Sequence, residues 1–351
     1  MGSAQSTSNH SPRHLLVFRF SALGDVAMTI PVIRLLLDRY PGLQVSLVSD
    51  PFMQPLTEGI ERLHFYPADT KAKFRGIKGL YALSRQIRKD IACDAIADLH
   101  NVLRTKLLRF FLAGKPVAVI DKGRKEKKEL TRPVDKKLRP LKTMFQRYAD
   151  VFAGVGLPVQ LNVNGGIVPR TANLKTINLS AINGPVAGIA PFAKHAAKLY
   201  PPDKMKEVVS MLSQYPGITI LLFGSPAEAP ILQEWEREIP HVYSLAGTMS
   251  FAEELDVIAG LDVMVSMDSA NMHLASLYGI PVVSVWGGTH PFLGFYGWGQ
   301  PPDNAVQLDL PCRPSSVFGN KPCPVHGNAG CMNGITPAMI HDKVTDVLKR
   351  G

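Results

Sequence analysis

No stretch of the chain approaches the roughly 20 uninterrupted apolar residues of a membrane-spanning helix, and residues 1–14 lack the apolar core of a signal peptide. Both absences predict a protein that stays in the cytoplasm. Cysteine is scarce: Cys93 stands alone, while Cys312, Cys323 and Cys331 gather late in the chain. That usage excludes the dense framework of a secreted disulfide scaffold and predicts reduced thiols. Helix-turn-helix, zinc-finger and aromatic RNA-binding signatures are missing, so no nucleic-acid partner is expected. The first turn reads Ser21-Ala22-Leu23-Gly24-Asp25 and not Gly-x-Gly-x-x-Gly, which removes the fingerprint of a nicotinamide dehydrogenase. What is present is 351 residues, 46% of them hydrophobic, enough for two domains of ordinary size.

Apolar runs alternate with helical periodicity along most of the length. A buried strand at 15–20 turns at Gly24 and Asp25 into a helix with Thr29 and Pro31 in its first turn. Tyr40-Pro41-Gly42 ends that helix, and 43–48 supplies a second strand. Strands at 63–66, 95–99 and 117–120 then alternate with helices at 80–88, 102–112 and 141–152. The pattern restarts with strands at 186–190, 218–223, 263–266 and 282–285, interleaved with helices at 203–214, 227–237, 252–259 and 271–278. Such alternation predicts an α/β chain with two doubly wound, Rossmann-like lobes, 14–158 and 186–351, joined by 159–185 and facing a cleft. A final helix at 337–349 follows a long irregular stretch and is free to pack back across the lobes.

Charge is unevenly spread. Residues 1–158 hold 27 Lys+Arg against 14 Asp+Glu, and 159–351 hold 12 against 15, giving +13 and −3. A one-sided positive field attracts anions such as a phosphorylated lipid or an acidic saccharide. The densest run, 122–139, includes Arg124, Lys125, Lys127 and Lys128. It reads either as a solvated loop or as a surface for an anionic acceptor.

Four segments resemble glycosyltransferase family 9, the ADP-heptose:lipopolysaccharide heptosyltransferases, over nearly all the chain after about residue 14. They are Phe20-Ser21-Ala22-Leu23-Gly24-Asp25 with Pro31, Lys198-Leu199-Tyr200-Pro201, the run from Met267 to Ala275, and Trp286-Gly287-Gly288-Thr289-His290-Pro291 with the Gly-rich 294–299. The resemblance implies a GT-B fold and inversion at the sugar carbon. It implies no cofactor beyond ADP-heptose as co-substrate, no metal, and an anionic glycolipid acceptor met peripherally at the inner face of the inner membrane.

By the same resemblance Asp25 looks like the general base, with Ser21 and Gly24 beside it on the acceptor side; a capping Asp is the plain alternative. Lys198, with Lys194 nearby, would neutralise the departing diphosphate. Backbone amides at the helix start through Ser269, Ala270 and Asn271 would approach that diphosphate, Asp268 would hydrogen-bond hydroxyls of the transferred sugar, and Thr289 would complete the donor side. Ala270 and Tyr200 stand where the family usually has Gly and Trp. Glu228 resembles a nucleoside-binding acid, and its alternative is a first-turn helix acid. His273, one turn into its helix, reads equally as a packed core histidine. Cys312, Cys323, His326 and Cys331 could bind zinc, but their spacing lies outside common zinc motifs, so a reduced cluster is expected. A nucleotide-sugar epimerase and a non-catalytic lipopolysaccharide-binding protein are the rival readings.

Overall fold

The structure, a computed structural model, describes residues 12–174, 184–328 and 330–350. The described chain divides into two compact units. The first holds the residues up to Lys122 together with Phe145–Gly166, and the second holds Gly123–Met144 together with Ile167 onward.

In the first unit, β1 (His14–Phe18), β2 (Gln44–Ser49), β3 (Leu63–Pro67), β4 (Ala95–Asp98) and β5 (Val117–Val119) form one sheet. All neighbours are parallel, in the order β3-β2-β1-β4-β5. Between them run α1 (Leu23–Ala27), α2 (Thr29–Arg39), α3 (Gly76–Asp90) and α4 (Leu103–Phe111), and α6 (Met144–Ala153) returns to this unit from Phe145. Leu15, Leu16, Val17 and Phe18 of β1 are fully buried, as a central strand covered on both faces requires.

The second unit repeats the plan. Its strands are β6 (Val186–Ala190), β7 (Thr219–Leu222), β8 (Val242–Ser244), β9 (Val263–Met267), β10 (Val282–Val285) and β11 (Ala305–Val306). They lie parallel in the order β11-β10-β9-β6-β7-β8. Helices α7 (Pro202–Leu212), α8 (Ala229–Glu238), α9 (Phe251–Ile258), α10 (Ala270–Leu277) and α11 (Pro337–Leu348) cover them. β8 and β11, only 3 and 2 residues long, are too short to carry a periodicity and escaped the sequence reading. Thr336 caps α11 and Pro337 opens it. Its buried Ile340, Val344 and Val347 join Tyr200, Met205 and Val209 in the core of the second unit, where the sequence left it free to pack back across the lobes.

The expected boundaries shift in two respects, the first being that the expected connection divides at Gly166 between the two units. The segment Gly123–Met144, placed in the amino-terminal lobe by sequence order, belongs to the second unit. Leu130 and Leu141 bury against Leu293, and the amides of Leu141 and Met144 donate to the carbonyls of Phe292 (2.9 Å) and Gly294 (2.9 Å). This segment holds nine Lys+Arg and three Asp+Glu. Reassigning it changes the split from +13 and −3 to +7 and +3, so neither unit is acidic. Of the expected connection 159–185, residues 175–183 lie outside the described residues.

α9 illustrates how local sequence fixes an element and leaves a titratable consequence. Ser250 and Glu253 form a reciprocal capping box, Ser250 N donating to Glu253 Oε2 at 2.8 Å. The next residue, Glu254, is pushed by burial from an ordinary carboxylate value of 4.5 to about 7. The folded state therefore holds this proton more tightly than the unfolded chain does. The resulting stability is present below about pH 4.5 and is lost as pH rises through about 7, a change of at most about 3 kcal/mol. Glu254→Gln is expected to flatten the melting temperature over pH 5–8; an unaltered pH slope would remove Glu254 as its source.

Candidate functional site

In doubly wound sheets, ligands lie beyond the carboxyl ends of the strands, where the strand order reverses. In the first unit that point falls between β1 and β4. Arg19, Phe20 and Asp25 follow β1; Asp98, His100 and Asn101 end and follow β4. Asp25 Oδ2 is 2.6 Å from Arg19 Nη2 and accepts the Ala22 amide at 3.2 Å. Both contacts fall on Oδ2, and the carboxylate side chain remains 29% exposed, so Oδ1 is able to accept a proton. Arg19 is itself buried, its Nη1 donating to Leu99 O at 2.7 Å. Burial opposes its charge, but facing anionic groups, Asp25 and Asp98 among them, outweigh that and raise its pKa.

Tyr148, fully buried, donates its hydroxyl to the Asp25 carbonyl at 3.3 Å, and burial raises its pKa so that it stays a phenol. His100 is depressed to about 3 by burial and by the positive charges of Arg19, Lys122 and Arg104. It is therefore neutral at physiological pH. Its Nδ1 accepts the Phe20 amide at 3.3 Å, which places the ring proton on Nε2. Asp98, wholly buried, accepts the amides of His100 (3.0 Å) and Asn101 (2.8 Å) on Oδ1, with Arg109 Nε 3.1 Å from Oδ2. Asp98 thus shapes the turn that presents His100.

In the second unit the reversal falls between β6 and β9. Lys198 lies in the loop after β6, and Asp268 immediately follows β9. The structure pairs them, Nζ to Oδ2, at 2.8 Å, with side chains 16% and 4% exposed. Ser269 stands at the N-cap position of α10 without a side-chain capping bond, and its hydroxyl lies 3.0 Å from that of Ser266. Ala270 begins the helix with ordinary right-handed backbone, so the replacement of the family's glycine imposes no strain. His273 is 92% buried within α10, as its packed reading requires.

The Gly-Gly pair after β10 lies against the Lys198 turn. Gly288 N donates to Ala197 O at 2.8 Å, and a Cβ at Gly287 would come within 2.8 Å of that same oxygen. Gly319, at φ +70°, likewise leaves room for Lys198, since a Cβ there would stand 2.6 Å from its Cγ. Thr289 is fully buried, and its Oγ1 has no hydrogen-bond partner among the described residues. Tyr200 donates its hydroxyl to Ile335 O at 2.9 Å within the core.

Other expected residues are placed differently. Lys194 is exposed and makes no described contact with Asp268. Glu228 stands at the N-cap position of α8, one residue before the first turn, and its Oε2 accepts the Ser225 amide at 2.6 Å and the Ser225 hydroxyl at 2.9 Å. Ser21 is half-buried just before α1, and Gly24 is half-buried within α1 next to Asp25. Arg124, Lys125 and Lys128 lie exposed on α5 (Arg124–Leu130). Lys127, grouped with them as an acceptor contact, is 5% exposed, its ammonium 4.2 Å from the Phe295 ring centroid and 3.7 Å from Met144 Sδ. Its charge anchors α5 through a cation–π contact instead of facing solvent. Arg19, Asp98, His100 and Tyr148 were not singled out by sequence. The available signal was a charged residue inside an otherwise apolar strand run, as at Arg19 and Asp98.

The chain is similar to known proteins over most of its length. Residues 80–321 match the family model described as glycosyltransferase family 9 (heptosyltransferase). The lipooligosaccharide heptosyltransferase 2 of Haemophilus influenzae is 30% identical over 113 residues, 30% of this chain and 32% of that one. The lipopolysaccharide core heptosyltransferase OpsX of the same organism is 23% identical over 294 residues, 80% and 81% of the two chains. The solved ADP-heptose lps heptosyltransferase II of E. coli superimposes with a TM-score of 0.70 at 19% identity, covering 96% of this chain and 99% of that one, so the two share a fold. With the family model matching well over half its length, the chain belongs to glycosyltransferase family 9 and is a glycosyltransferase.

Proposed function

We propose that this glycosyltransferase moves a heptose from ADP-heptose to an anionic, lipopolysaccharide inner-core acceptor with inversion at the sugar carbon. The observation that carries the reading is that charged groups stand at the reversal point of each sheet: Asp25 on Arg19 in one, Lys198 on Asp268 in the other. Asp25 Oδ1 takes the acceptor's hydroxyl proton as that oxygen attacks the anomeric carbon. The bond from that carbon to the diphosphate oxygen breaks, and Lys198 with the α10 amides stabilises the charge that develops on ADP. One carboxylate suffices for direct inversion, and no step of the transfer calls on a metal. ADP-heptose as donor is supported by the E. coli protein of the same fold, whose name specifies it.

Mass-spectrometric assay with ADP-heptose and a panel of core-oligosaccharide acceptors tests the reading. A heptosylated product with equimolar ADP is expected. Turnover of another nucleotide sugar with none of ADP-heptose would keep the class and remove the heptose, while donor conversion without acceptor would point to an epimerase.

Peripheral contact with the inner face of the inner membrane completes the proposal. None of the described helices is long and apolar enough to cross a membrane. On the first unit, α3 and α4 expose Ile77, Tyr81, Leu103 and Phe110 to between 52% and 74%, Tyr81 packing edge-on against Phe111, with Lys78, Arg85 and Lys106 exposed nearby. Apolar side chains among basic ones suit an anionic lipid surface, where each cation contributes about 1 kcal/mol. Tyr81→Ser with Phe110→Ser is expected to lower co-sedimentation with anionic vesicles several-fold even at high salt. Arg124→Ser, Lys125→Ser and Lys128→Ser together are expected to blunt only the salt-dependent part, because charge attraction decays over about 8 Å at physiological ionic strength. Variant curves superimposable on the native ones would detach these surfaces from membrane binding.

A further inference from the structure

The three late cysteines and His326 are separated by intervals that match no common zinc motif, yet the fold gathers them. Cys312 Sγ, Cys323 Sγ, Cys331 Sγ and one ring nitrogen of His326 all lie within 4.8 Å of one another. Cys312 Sγ is 3.8 Å from Cys331 Sγ and 3.6 Å from His326 Nδ1. A disulfide would bring two sulfurs to about 2.05 Å, so these thiols converge without bonding. A tetrahedral zinc ion with Zn–S near 2.3 Å and Zn–N near 2.05 Å sets its ligands about 3.8 Å apart for two sulfurs and about 3.6 Å for sulfur and nitrogen. The two observed separations are those of such a tetrahedron's edges.

The surroundings also suit a metal. Cys323 and Gly327 exchange two backbone hydrogen bonds of 2.9 Å, closing a tight loop that turns His326 back over the sulfurs. The amides of Val325 and His326 donate to the Cys323 sulfur. Three thiolates around a divalent ion leave one net negative charge. Lys136, whose ammonium donates to Cys312 O (2.6 Å) and Pro314 O (2.9 Å), brings a compensating positive charge to the rim. Cys323 and Cys331 are 3% and 1% exposed, whereas His326 is exposed and closes the set from outside.

We infer that Cys312, Cys323, His326 and Cys331 form a structural Cys₃His site for one thiophilic divalent ion, zinc by its coordination chemistry, which staples the 312–331 segment to the second unit. The segment next to the first ligand shows what the staple holds. Arg313, 2% exposed, donates to the carbonyls of Gly287 (2.5 Å), Thr289 (2.9 Å) and Leu308, and the amides of Ser315 and Ser316 donate to Gly288 O at 2.9 and 3.1 Å. All of these bonds except the one to Leu308 end on or beside the Gly-Gly turn that abuts Ala197. The ion therefore braces that turn from behind, without contact with substrate, and the inference stands whether or not the donor is ADP-heptose.

The full-length protein, purified without chelator or affinity metal, is expected to carry close to one zinc per chain by elemental mass spectrometry. Exchange for cobalt should produce thiolate-to-cobalt charge-transfer absorption. Cys323→Ser with Cys331→Ser should abolish both and lower the melting temperature, and removal of the ion from the native protein should lower it likewise and speed amide exchange at Gly288. Because the double variant risks misfolding, His326→Cys provides a second arm: an exposed ligand swapped for another soft donor keeps one equivalent and intensifies the cobalt band. A native protein that is folded, holds less than a tenth of an equivalent of any metal and gives no charge-transfer band overturns the site. Iron in the same stoichiometry keeps the site and overturns the choice of zinc, and an unchanged cobalt spectrum in His326→Cys removes the histidine from the ligand set.

Discussion

Asp25→Asn is expected to lower turnover by about 10²-fold or more while leaving ADP affinity nearly intact. The reasoning begins at the geometry of one carboxylate. Oδ2 is engaged by Arg19 at 2.6 Å and by the Ala22 amide at 3.2 Å, so Oδ1 is the atom left to receive a proton. Asparagine preserves the shape and one acceptor oxygen for Arg19, but no longer offers a carboxylate to take the acceptor's proton. Loss of activity through misfolding is a separate outcome, since Arg19 is buried and its charge would lose its partner. Arg19→Lys helps to separate the two. Lysine keeps the charge without the fork that reaches Asp25 and Leu99 O together, so turnover should fall less than in Asp25→Asn although stability falls comparably. Single-turnover rates at saturating donor, with melting temperatures and ADP calorimetry on each variant, make the comparison. A folded Asp25→Asn enzyme with near-native turnover would return Asp25 to the role of a helix-capping acid.

The parts of the molecule legible in the sequence are those whose information is local. β1, β6 and β9 are short apolar runs, and each is followed by a turn whose small residues announce a helix. That sufficed for two doubly wound units, whereas Asp25, Lys198 and Asp268 are singled out through the resemblance to glycosyltransferase family 9. Arg19, Asp98, His100 and Tyr148 form a second group: a charge inside an apolar strand run marks the first two, and no local pattern marks His100 or Tyr148. Arg19 reaches Leu99 across 80 positions and Tyr148 reaches Asp25 across 123, through the parallel pairing of β1 with β4 and the return of α6. Sequence order also misled at the basic run. Nothing in its composition says that Leu130 and Leu141 bury against Leu293, or that Lys127, one of its four named basic residues, is drawn under the aromatic ring of Phe295. The convergence of the thiols is likewise not local: the Cys323–Gly327 bridge turns His326 toward sulfurs drawn from positions 312, 323 and 331, a gathering that spacing alone does not reveal.

Lys198→Ala is expected to weaken ADP binding by tenfold or more and to destabilise the fold, and the two effects have different origins. Lys198 Nζ lies 2.8 Å from Asp268 Oδ2, and the aspartate is 4% exposed. Removing the lysine leaves a buried carboxylate without its partner, which costs about 3–5 kcal/mol in comparable pairs. That loss is structural and says nothing about the donor. The proposed function adds a second role: the same ammonium meets the diphosphate, so its removal should weaken ADP binding beyond any effect on folding. Lys198→Met combined with Asp268→Asn distinguishes them. With both charges gone the desolvation cost disappears, and stability should recover most of what Lys198→Ala lost. ADP affinity should not recover, because neither methionine nor asparagine supplies a cation at the reversal point of the second sheet. Calorimetry with ADP and thermal melts on the single and double variants provide the measurements. If affinity returns along with stability, the pair is a structural clamp between the β6 loop and the β9 turn, and the diphosphate must find its positive charge elsewhere.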